Sequence, residues 1–458
     1  MMRAMRTCVL PLACVVLLSS MAIPAHAQVG TARPDEVAAL RAELAQLRAE
    51  VAEMRAVVQA MRTGAAPPAQ APAPAEAAPA DPAVSMLQSQ VAELAQGKVE
   101  SVSKLPVRVF GSIVSNTVAN SGEANWLENP NVALRAPAGI DNPGSFTSTM
   151  RQSRIGLTVD GVKLGGWTAS GLVAFDFLGG TPGFATGQVM GIPRLLYGVV
   201  RIATDATTIT VGQEDAIFAP RNPTSVAAAS FPALFRSGNL YMRVPQVKAA
   251  RRFGKADGGH LNLAAGIAAP IAGDRETPFY EFAPLADGGE RSRRPAFEGR
   301  AAWVAGDGAS RRFELGASAH VSRERSGRET SDSTGVAVDL DVQFGRIGFG
   351  AEAFAGENLD AFGAAVSQEA KTRCGFAEAR LGLTDRIELV GGYGLDEIDE
   401  AELLFFPITK NATGFGSISY RFSPELVGGF EYRYLTTTRR TSGDRQVHHF
   451  NWVLAYTF

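Results

Sequence analysis

Residues 446–458, at the C-terminal end of the chain, read QVHHFNWVLAYTF, and their pattern indicates the fold. Its alternate residues form one mostly aromatic and apolar face: His448, Phe450, Trp452, Leu454, Tyr456 and Phe458. His449, Asn451 and Thr457 lie on the other face, and this period of two predicts a β-strand. Aromatic residues at both ends of the apolar face are typical of a strand that crosses a bilayer between two interfacial girdles. The alternative is an amphipathic edge strand of a soluble β-sandwich.

The C-terminal residue is itself aromatic. Phe458, with Tyr456 and Trp452 on the same face, resembles the signal that the outer-membrane barrel assembly machinery reads. The sequence therefore predicts this machinery and outer-membrane lipid as partners.

The composition limits the other classes of protein. The 458 residues carry a net charge of −2, so no basic surface suggests nucleic acid as a partner. Beyond the N-terminus no uninterrupted apolar run reaches ~18 residues, which excludes helical membrane spans. A transmembrane barrel remains compatible, because alternation halves the hydropathy of each strand.

Residues 1–27 are predicted to be a secretory signal peptide. Arg3 and Arg6 precede an apolar stretch at 8–18, and Ala25-His26-Ala27 suits cleavage. A lipoprotein cleavage site ending at Cys14 is the alternative. Cleavage after residue 27 leaves Cys374 as the single cysteine, so no internal disulfide is expected.

Residues 28–62 are predicted to form a coiled coil. Apolar residues recur with spacings of three and four: Val37, Leu40, Leu44, Leu47, Val51, Met54, Val58 and Met61. This heptad pattern predicts a homo-oligomer, because so short a helix is stabilised by partner helices; a lone amphipathic helix is the alternative. Residues 63–104 form an Ala/Pro-rich linker followed by a second short helix.

Residues 105–458 are predicted to form an all-β transmembrane barrel of about sixteen antiparallel strands. Period-two alternation continues through this region, and the even strand number is that of bacterial barrels. Short turns follow the even-numbered strands. Long loops follow the odd-numbered ones, at 119–148, 178–193, 213–241, 270–296, 322–335, 355–374, 396–412 and 437–446. This sorting of loops predicts that the barrel lies in the bacterial outer membrane, with the coiled coil in the periplasm.

The inner face of the barrel is expected to hold water. Glu, Asp and Arg alternate with the apolar residues on many strands, and a dry interior could not hold them. Residues 213–241 form a less charged loop, which would bury its apolar side chains by folding into the barrel. That would bring Arg221 and Arg236 to the pore, where arginine favours anions. The alternative is that this loop packs on a neighbouring subunit.

Several motifs resemble those of DcaP-type porins. They follow the family's order: 151–157 (RQSRIGL), 175–180 (FDFLGG), 193–198 (PRLLYG), 211–213 (VGQ) and 243–246 (RVPQ). The match is good over roughly 150–270 and weaker in the C-terminal half. The resemblance implies a sixteen-stranded trimeric barrel for passive diffusion of small hydrophilic, preferentially anionic solutes. It adds Arg154, Arg194 and Arg243 to Arg221 and Arg236 as candidate channel residues.

Three other functions are alternatives. An outer-membrane hydrolase would need a Ser–His pair supported by Asn. His448 and His449 are adjacent and point to opposite faces, and His320 stands alone beside Ser318. With five histidines in the chain, one of them in the signal peptide, an enzyme is not expected. A structural tether would pair the coiled coil with a periplasmic partner and keep the barrel closed. A dedicated sugar or siderophore channel has the same architecture. No CxxC, HExxH or phosphate-binding glycine motif is present, so no cofactor or metal is expected.

Overall fold

The computed structural model describes residues 107–458 except 142, 181–190, 256–257, 274–284, 307–309, 327, 367 and 399–407. The predicted signal peptide, coiled coil and linker (1–27, 28–62 and 63–104) lie outside the described residues. Nothing in the structure tests them.

The described residues form β-strands with little helix. The strands are β1 (Val107–Asn120), β2 (Ser145–Thr149), β3 (Arg154–Leu164), β4 (Trp167–Asp176), β5 (Arg194–Ala203), β6 (Thr207–Asp215), β7 (Arg243–Gly254), β8 (His260–Ala268), β9 (Ala296–Gly306), β10 (Arg311–Ser326), β11 (Glu329–Phe344), β12 (Ile347–Glu357), β13 (Lys371–Gly382), β14 (Ile387–Glu397), β15 (Ile408–Arg421), β16 (Leu426–Arg439) and β17 (Gly443–Thr457). A four-residue helix α1 (Gly288–Arg291) and two 3-10 turns (Asp360–Phe362 and Ala364–Val366) lie in loops. In the described part of the chain, no helix has the length and apolarity needed to cross a membrane.

The strands close into one antiparallel barrel. From β3 to β17 each strand pairs with the next, and β17 pairs back with β1. The lower half of β1, from Val107 to Ser112, pairs with β3, and its upper half pairs with β2. Strands β2 and β3 therefore share one position in the wall, interrupted by residues 150–153. The predicted count of sixteen is confirmed, with one strand broken in two.

The two ends of the barrel differ, as predicted. The short turns lie at one end, called here the short-turn end, and the long loops lie at the other, the long-loop end. The chain enters and leaves at the short-turn end, where Gly111 and Phe458 exchange backbone hydrogen bonds of 2.9 and 3.0 Å. The wall also varies in height, since β3–β9 have 9 to 12 residues and β10 and β11 have 16 each.

Two of the predicted long loops, 322–335 and 437–446, are wrong. Strand β10 continues to Ser326 and β11 begins at Glu329, while β16 continues to Arg439 and β17 begins at Gly443. Both faces of these extensions are polar, so the apolar alternation stops although the backbone pairing does not. Strand pairing needs only the backbone donors and acceptors, and these continue beyond the apolar belt.

The alternation of β17 separates two environments. Trp452, Leu454 and Tyr456 are about half exposed on the outer surface, whereas His449 and Asn451 are fully buried on the inner one. The outer wall of the barrel is thus apolar, and its interior is polar.

Candidate functional site

The third long loop, L3 (residues 216–242), lies inside the barrel, as predicted. Its first limb runs along the inner wall, where carboxylates accept its backbone N–H groups at 2.6–3.1 Å. The pairs are Glu298 with Ile217 and Phe218, Glu352 with Arg221, and Glu378 with Thr224. Because these amides have no strand partner, wall carboxylates supply the acceptors that a buried backbone requires.

The tip of L3 is held by Gln152, in the break between β2 and β3. This fully buried side chain donates to the carbonyl oxygen of Ala227 at 2.7 Å. Its own oxygen accepts the amides of Ala229 and Ser230 at 2.8 and 3.2 Å. The interrupted strand is therefore what places a loop anchor inside the barrel.

The return limb of L3 is tied to β15 and β16. Arg433 donates to the carbonyl oxygen of Ala233 at 3.3 Å, and Asn411 donates to that of Arg236 at 2.7 Å. Near its end, the amide of Tyr241 donates to the carbonyl oxygen of Phe362 at 3.0 Å. Both limbs thus lie against the wall formed by β9–β16.

The first loop, L1 (residues 121–144), also folds inward, which the sequence did not indicate. Asn411 donates to the carbonyl oxygen of Asn131 at 2.8 Å. Asn129 donates to the carbonyl oxygen of Phe231 in L3 at 3.2 Å, and the rings of Trp126 and Phe231 meet edge to face with centroids 4.7 Å apart. L1 and L3 therefore narrow the lumen together.

The wall formed by β4–β8, called here the open wall, faces L3 and carries excess positive charge. Apart from Arg251, its strands carry five basic and three acidic side chains, a net charge of +2. They are Arg194, Arg201, Arg243, Lys248 and Arg252, with Asp176, Glu214 and Asp215. Arg251, on the same strand as Lys248, points outward over Phe253. The side chains of Arg201 and Lys248 keep 37% and 24% of their surface exposed, although Glu214 pairs with both.

Three of the predicted channel residues lie together. Arg194 pairs with Asp176 at 2.5 Å and lies over the ring of Phe231, 4.8 Å from its centroid. Arg243 pairs with Asp215 at 2.9 Å. Arg154 donates to the carbonyl oxygen of Ala229, which links β3 to the tip of L3.

Aromatic rings complete this cluster. The guanidinium of Arg243 lies 4.6 Å from the ring centre of Tyr197 and 4.9 Å from that of Tyr241. Burial raises the pKa of Tyr241 to about 12, so its hydroxyl is neutral at physiological pH. We call Arg154, Arg194 and Arg243 with Phe231, Tyr197 and Tyr241 the arginine–aromatic cluster.

Arg221 and Arg236 lie elsewhere. Arg221 is enclosed by three wall carboxylates, Glu314 at 2.8 Å, Asp339 at 3.0 Å and Asp341 at 3.6 Å. Arg236 has a left-handed backbone with φ of +62°, and its guanidinium lies 5.4 Å from the ring centre of Phe235. Burial lowers the pKa of Arg236. The structure thus brings three of the five candidate arginines together and leaves these two on the L3 side.

Below L3 the lumen is open at the short-turn end. A cavity of about 600 Å³ is lined by polar and charged side chains that include His260, Asn262, Arg312 and Arg380. A second cavity of about 340 Å³ shares Asn262 and includes Arg252. Within the described residues, no group of His, Cys, Asp and Glu side chains is arranged to hold a metal ion.

Ser318 and His320 have separate hydrogen-bond partners. Ser318 accepts the amide of Ala219 in L3 at 3.1 Å, and His320 contacts Ser322 instead, at 3.1 Å. The sequence also gave no sign that Gln152 and Glu298 hold L3. Their inward position follows from strand alternation, but their partners are about 80 residues away in sequence.

No protein-family model matches the chain, and no curated protein matches it by sequence. Solved structures do match. The outer membrane channel DcaP of Acinetobacter baumannii is 14% identical, with a TM-score of 0.60 over 77% of this chain and 97% of that one. The anion-selective porin from Comamonas acidovorans is 12% identical, with a TM-score of 0.50 over 78% and 100%. OprB of Pseudomonas putida is 11% identical, with a TM-score of 0.50 over 80% and 97%.

These identities establish similarity of fold alone. The resemblance to DcaP-type porins that the motifs indicated is confirmed at this level, through a closed barrel of sixteen strand positions. The described part of the chain therefore has the fold of the DcaP outer membrane channel and of the Comamonas porin.

Proposed function

We propose that this chain is a passive channel of the bacterial outer membrane through which small hydrophilic, preferentially anionic solutes diffuse. The observation that carries the proposal is L3, which lies inside a closed barrel against β9–β16 and faces the open wall. A loop in this place narrows the passage without a plug domain, and the residues beside the passage then decide which ions enter.

The preference for anions follows from the distribution of charged side chains between the L3 side and the open wall. On the L3 side, Glu298, Glu352 and Glu378 accept loop amides and lie beneath the loop. On the open wall the net charge is +2, and Arg154 stands beside it on the next strand. A solute between the two surfaces meets arginine and lysine side chains that outnumber their carboxylate partners, and these attract carboxylates and phosphates. The matched structure described as an anion-selective porin agrees with this assignment.

The proposed membrane placement rests on the outer surface and on the two ends. Apolar side chains cover the outside of the wall, and closure leaves no unpaired strand edge for lipid to meet. With the short turns in the periplasm, residue 107 enters from that side. The signal peptide (1–27) would then be removed during export, and the coiled coil (28–62) and the linker (63–104) would remain in the periplasm.

We further propose that the barrels associate as homotrimers, as the resemblance to DcaP-type porins implies. The heptad pattern of 28–62 provides a second contact between copies, because an isolated helix of this length gains its stability from partners. Chemical cross-linking of the purified full chain, followed by native electrophoresis, should give a trimer band. A species that stays monomeric at all protein concentrations rejects the association.

The test of the channel is conductance. The purified full chain, added to a planar bilayer, should produce discrete current steps. In a KCl gradient, the reversal potential should have the sign of a channel that is more permeable to chloride than to potassium. Block by dicarboxylates or phosphate would then identify the solute class. A cation-selective reversal potential refutes the charge argument, and a complete absence of current refutes the channel.

A closed barrel that serves as a structural tether is the second candidate. The contact of Trp126 in L1 with Phe231 in L3 supports it, because the two loops meet inside the lumen. Under this proposal the coiled coil binds a periplasmic partner, and the unmodified chain carries no current across a planar bilayer. Replacing Trp126 with alanine should then open a current that the unmodified chain lacks.

A further inference from the structure

A chain of three buried side chains lies under the first residues of L3. Glu298 of β9 accepts the amides of Ile217 and Phe218 through one oxygen, at 2.6 and 3.1 Å. Its other oxygen lies 3.0 Å from Nδ1 of His320 on β10. Nε2 of His320 lies 3.1 Å from the hydroxyl of Ser322. Both oxygens of the carboxylate are therefore occupied, one by the loop and one by the imidazole.

The position of Glu298 fixes the direction of these hydrogen bonds. Its side chain is 1% exposed and that of His320 is 3% exposed. A carboxylate accepts only, so Nδ1 of His320 carries the proton and donates to Glu298. Nε2 is then free to accept from Ser322. A buried carboxylate without this donor would leave one oxygen without a partner, at a large cost in desolvation.

The imidazole also contacts the start of L3 and the sixth loop. Its ring centre lies 5.8 Å from that of Phe218, near the start of the loop, and 4.9 Å from that of Phe362 in the sixth loop. The carbonyl oxygen of Phe362 accepts the amide of Tyr241, near the end of L3. His320 thus lies at the start of L3, and Phe362 connects it to the end of the loop.

We propose that His320 and Glu298 are positioning residues that fix L3 in its conducting place, with His320 acting through Glu298. The order serine, imidazole, carboxylate is that of a hydrolytic triad. Here Phe218 and Phe362 cover the imidazole, and Glu298 binds the loop backbone, so the chain orients a loop and not a nucleophile. The inference rests on the proposed channel, because the place of L3 matters there as the limit on the passage.

Two substitutions in the full chain distinguish the role of Nδ1 of His320 from that of Nε2. His320→Asn places an amide nitrogen near the position of Nδ1 and keeps the donor to Glu298. His320→Gln places it near Nε2 and loses that donor. With H320N, single-channel currents should stay as steady as those of the unmodified chain. With H320Q, the ratio of time in sub-conductance states to time fully open should rise about tenfold or more, the effect of losing a hydrogen bond to a charged group.

A third variant and an independent measurement keep the test decisive. Glu298→Leu, which keeps the side-chain size and accepts no hydrogen bond, should give the same unsteady current as H320Q, and the double variant should add little, because both break the same chain of hydrogen bonds. Hydrogen exchange of the Ile217 and Phe218 amides should become faster in H320Q and not in H320N, whether or not the barrel conducts. Equal exchange rates and equal currents in H320N and H320Q overturn the inference. Absence of current from the unmodified chain, with exchange still different, instead refutes the proposed channel.

Discussion

Replacing Glu214 with glutamine should raise the preference of the channel for anions. Its carboxylate pairs with Arg201 at 2.9 Å and with Lys248, and both cations remain partly exposed to the lumen. Removing the negative charge leaves these two cations without a counter-charge, and they stay hydrated, so the barrel should fold normally. The matched control is Glu378→Gln on the opposite wall, where the carboxylate accepts the amide and hydroxyl of Thr224 beneath L3.

The size of the effect follows from Coulomb's law. A unit charge about 7 Å from a passing ion contributes about 0.6 kcal/mol in water. At 0.1 M salt, where the screening length is about 10 Å, roughly 0.3 kcal/mol remains for each ion. The anion gains this energy and the cation loses it, so the ratio of anion to cation permeability should rise about threefold. At 1 M salt the rise should shrink to about 1.2-fold.

The assay is the reversal potential of each variant in KCl gradients at both salt concentrations. At low salt, the reversal potential of Glu214→Gln should shift toward the equilibrium potential of chloride. The reversal potential of Glu378→Gln should shift much less, although this variant should make L3 less steady. If Glu378→Gln shifts the reversal potential as far as Glu214→Gln does, L3 does not shield its wall, and the reasoning fails. A Glu214→Gln shift that is independent of salt refutes the electrostatic origin.

Three further predictions concern L3, the N-terminal region and the C-terminus. Replacing both Arg221 and Arg236 with alanine should lower the preference for anions, and an unchanged reversal potential would reject their part in the constriction. Deletion of 28–104 should leave the barrel folded, because its strands close without that region; loss of heat-modifiable migration on gels would contradict this. Deletion of Phe458 should slow assembly into membranes, measured as the fraction of protein that keeps its folded mobility on SDS gels when the sample is not heated. Phe458→Tyr should preserve assembly. Equal assembly of both variants would exclude a role for the terminal aromatic ring.

The barrel was predictable because its signal is local. The alternation of Phe450, Trp452 and Leu454 with Asn451 and Val453 is visible in a short window, and each strand repeats it. The alternation of long and short connections then predicted a closed barrel with a short-turn end and a long-loop end. The extended hairpin of β10 and β11 escaped prediction because polar residues on both faces remove the alternation without removing the backbone pairing.

The site was predictable only in part. The low charge and apolar content of L3 indicated that it folds inward, but its anchors depend on distant pairs such as Gln152 with Ala229 and Glu298 with Ile217. No spacing within the chain reports such a pair. The resemblance located Arg154, Arg194 and Arg243, and the structure adds that aromatic rings from L3 and the wall hold two of them in place.

The hairpin of β10 and β11 has a consequence for contacts outside the cell. Beyond Val321, five residues of β10 continue to Ser326, a further ~15 Å at the usual rise along a strand. In the proposed orientation, with the long-loop end outside the cell, this two-stranded extension would rise above the apolar belt of the barrel. Large molecules that approach from that side would therefore meet residues near Arg328 before the pore mouth.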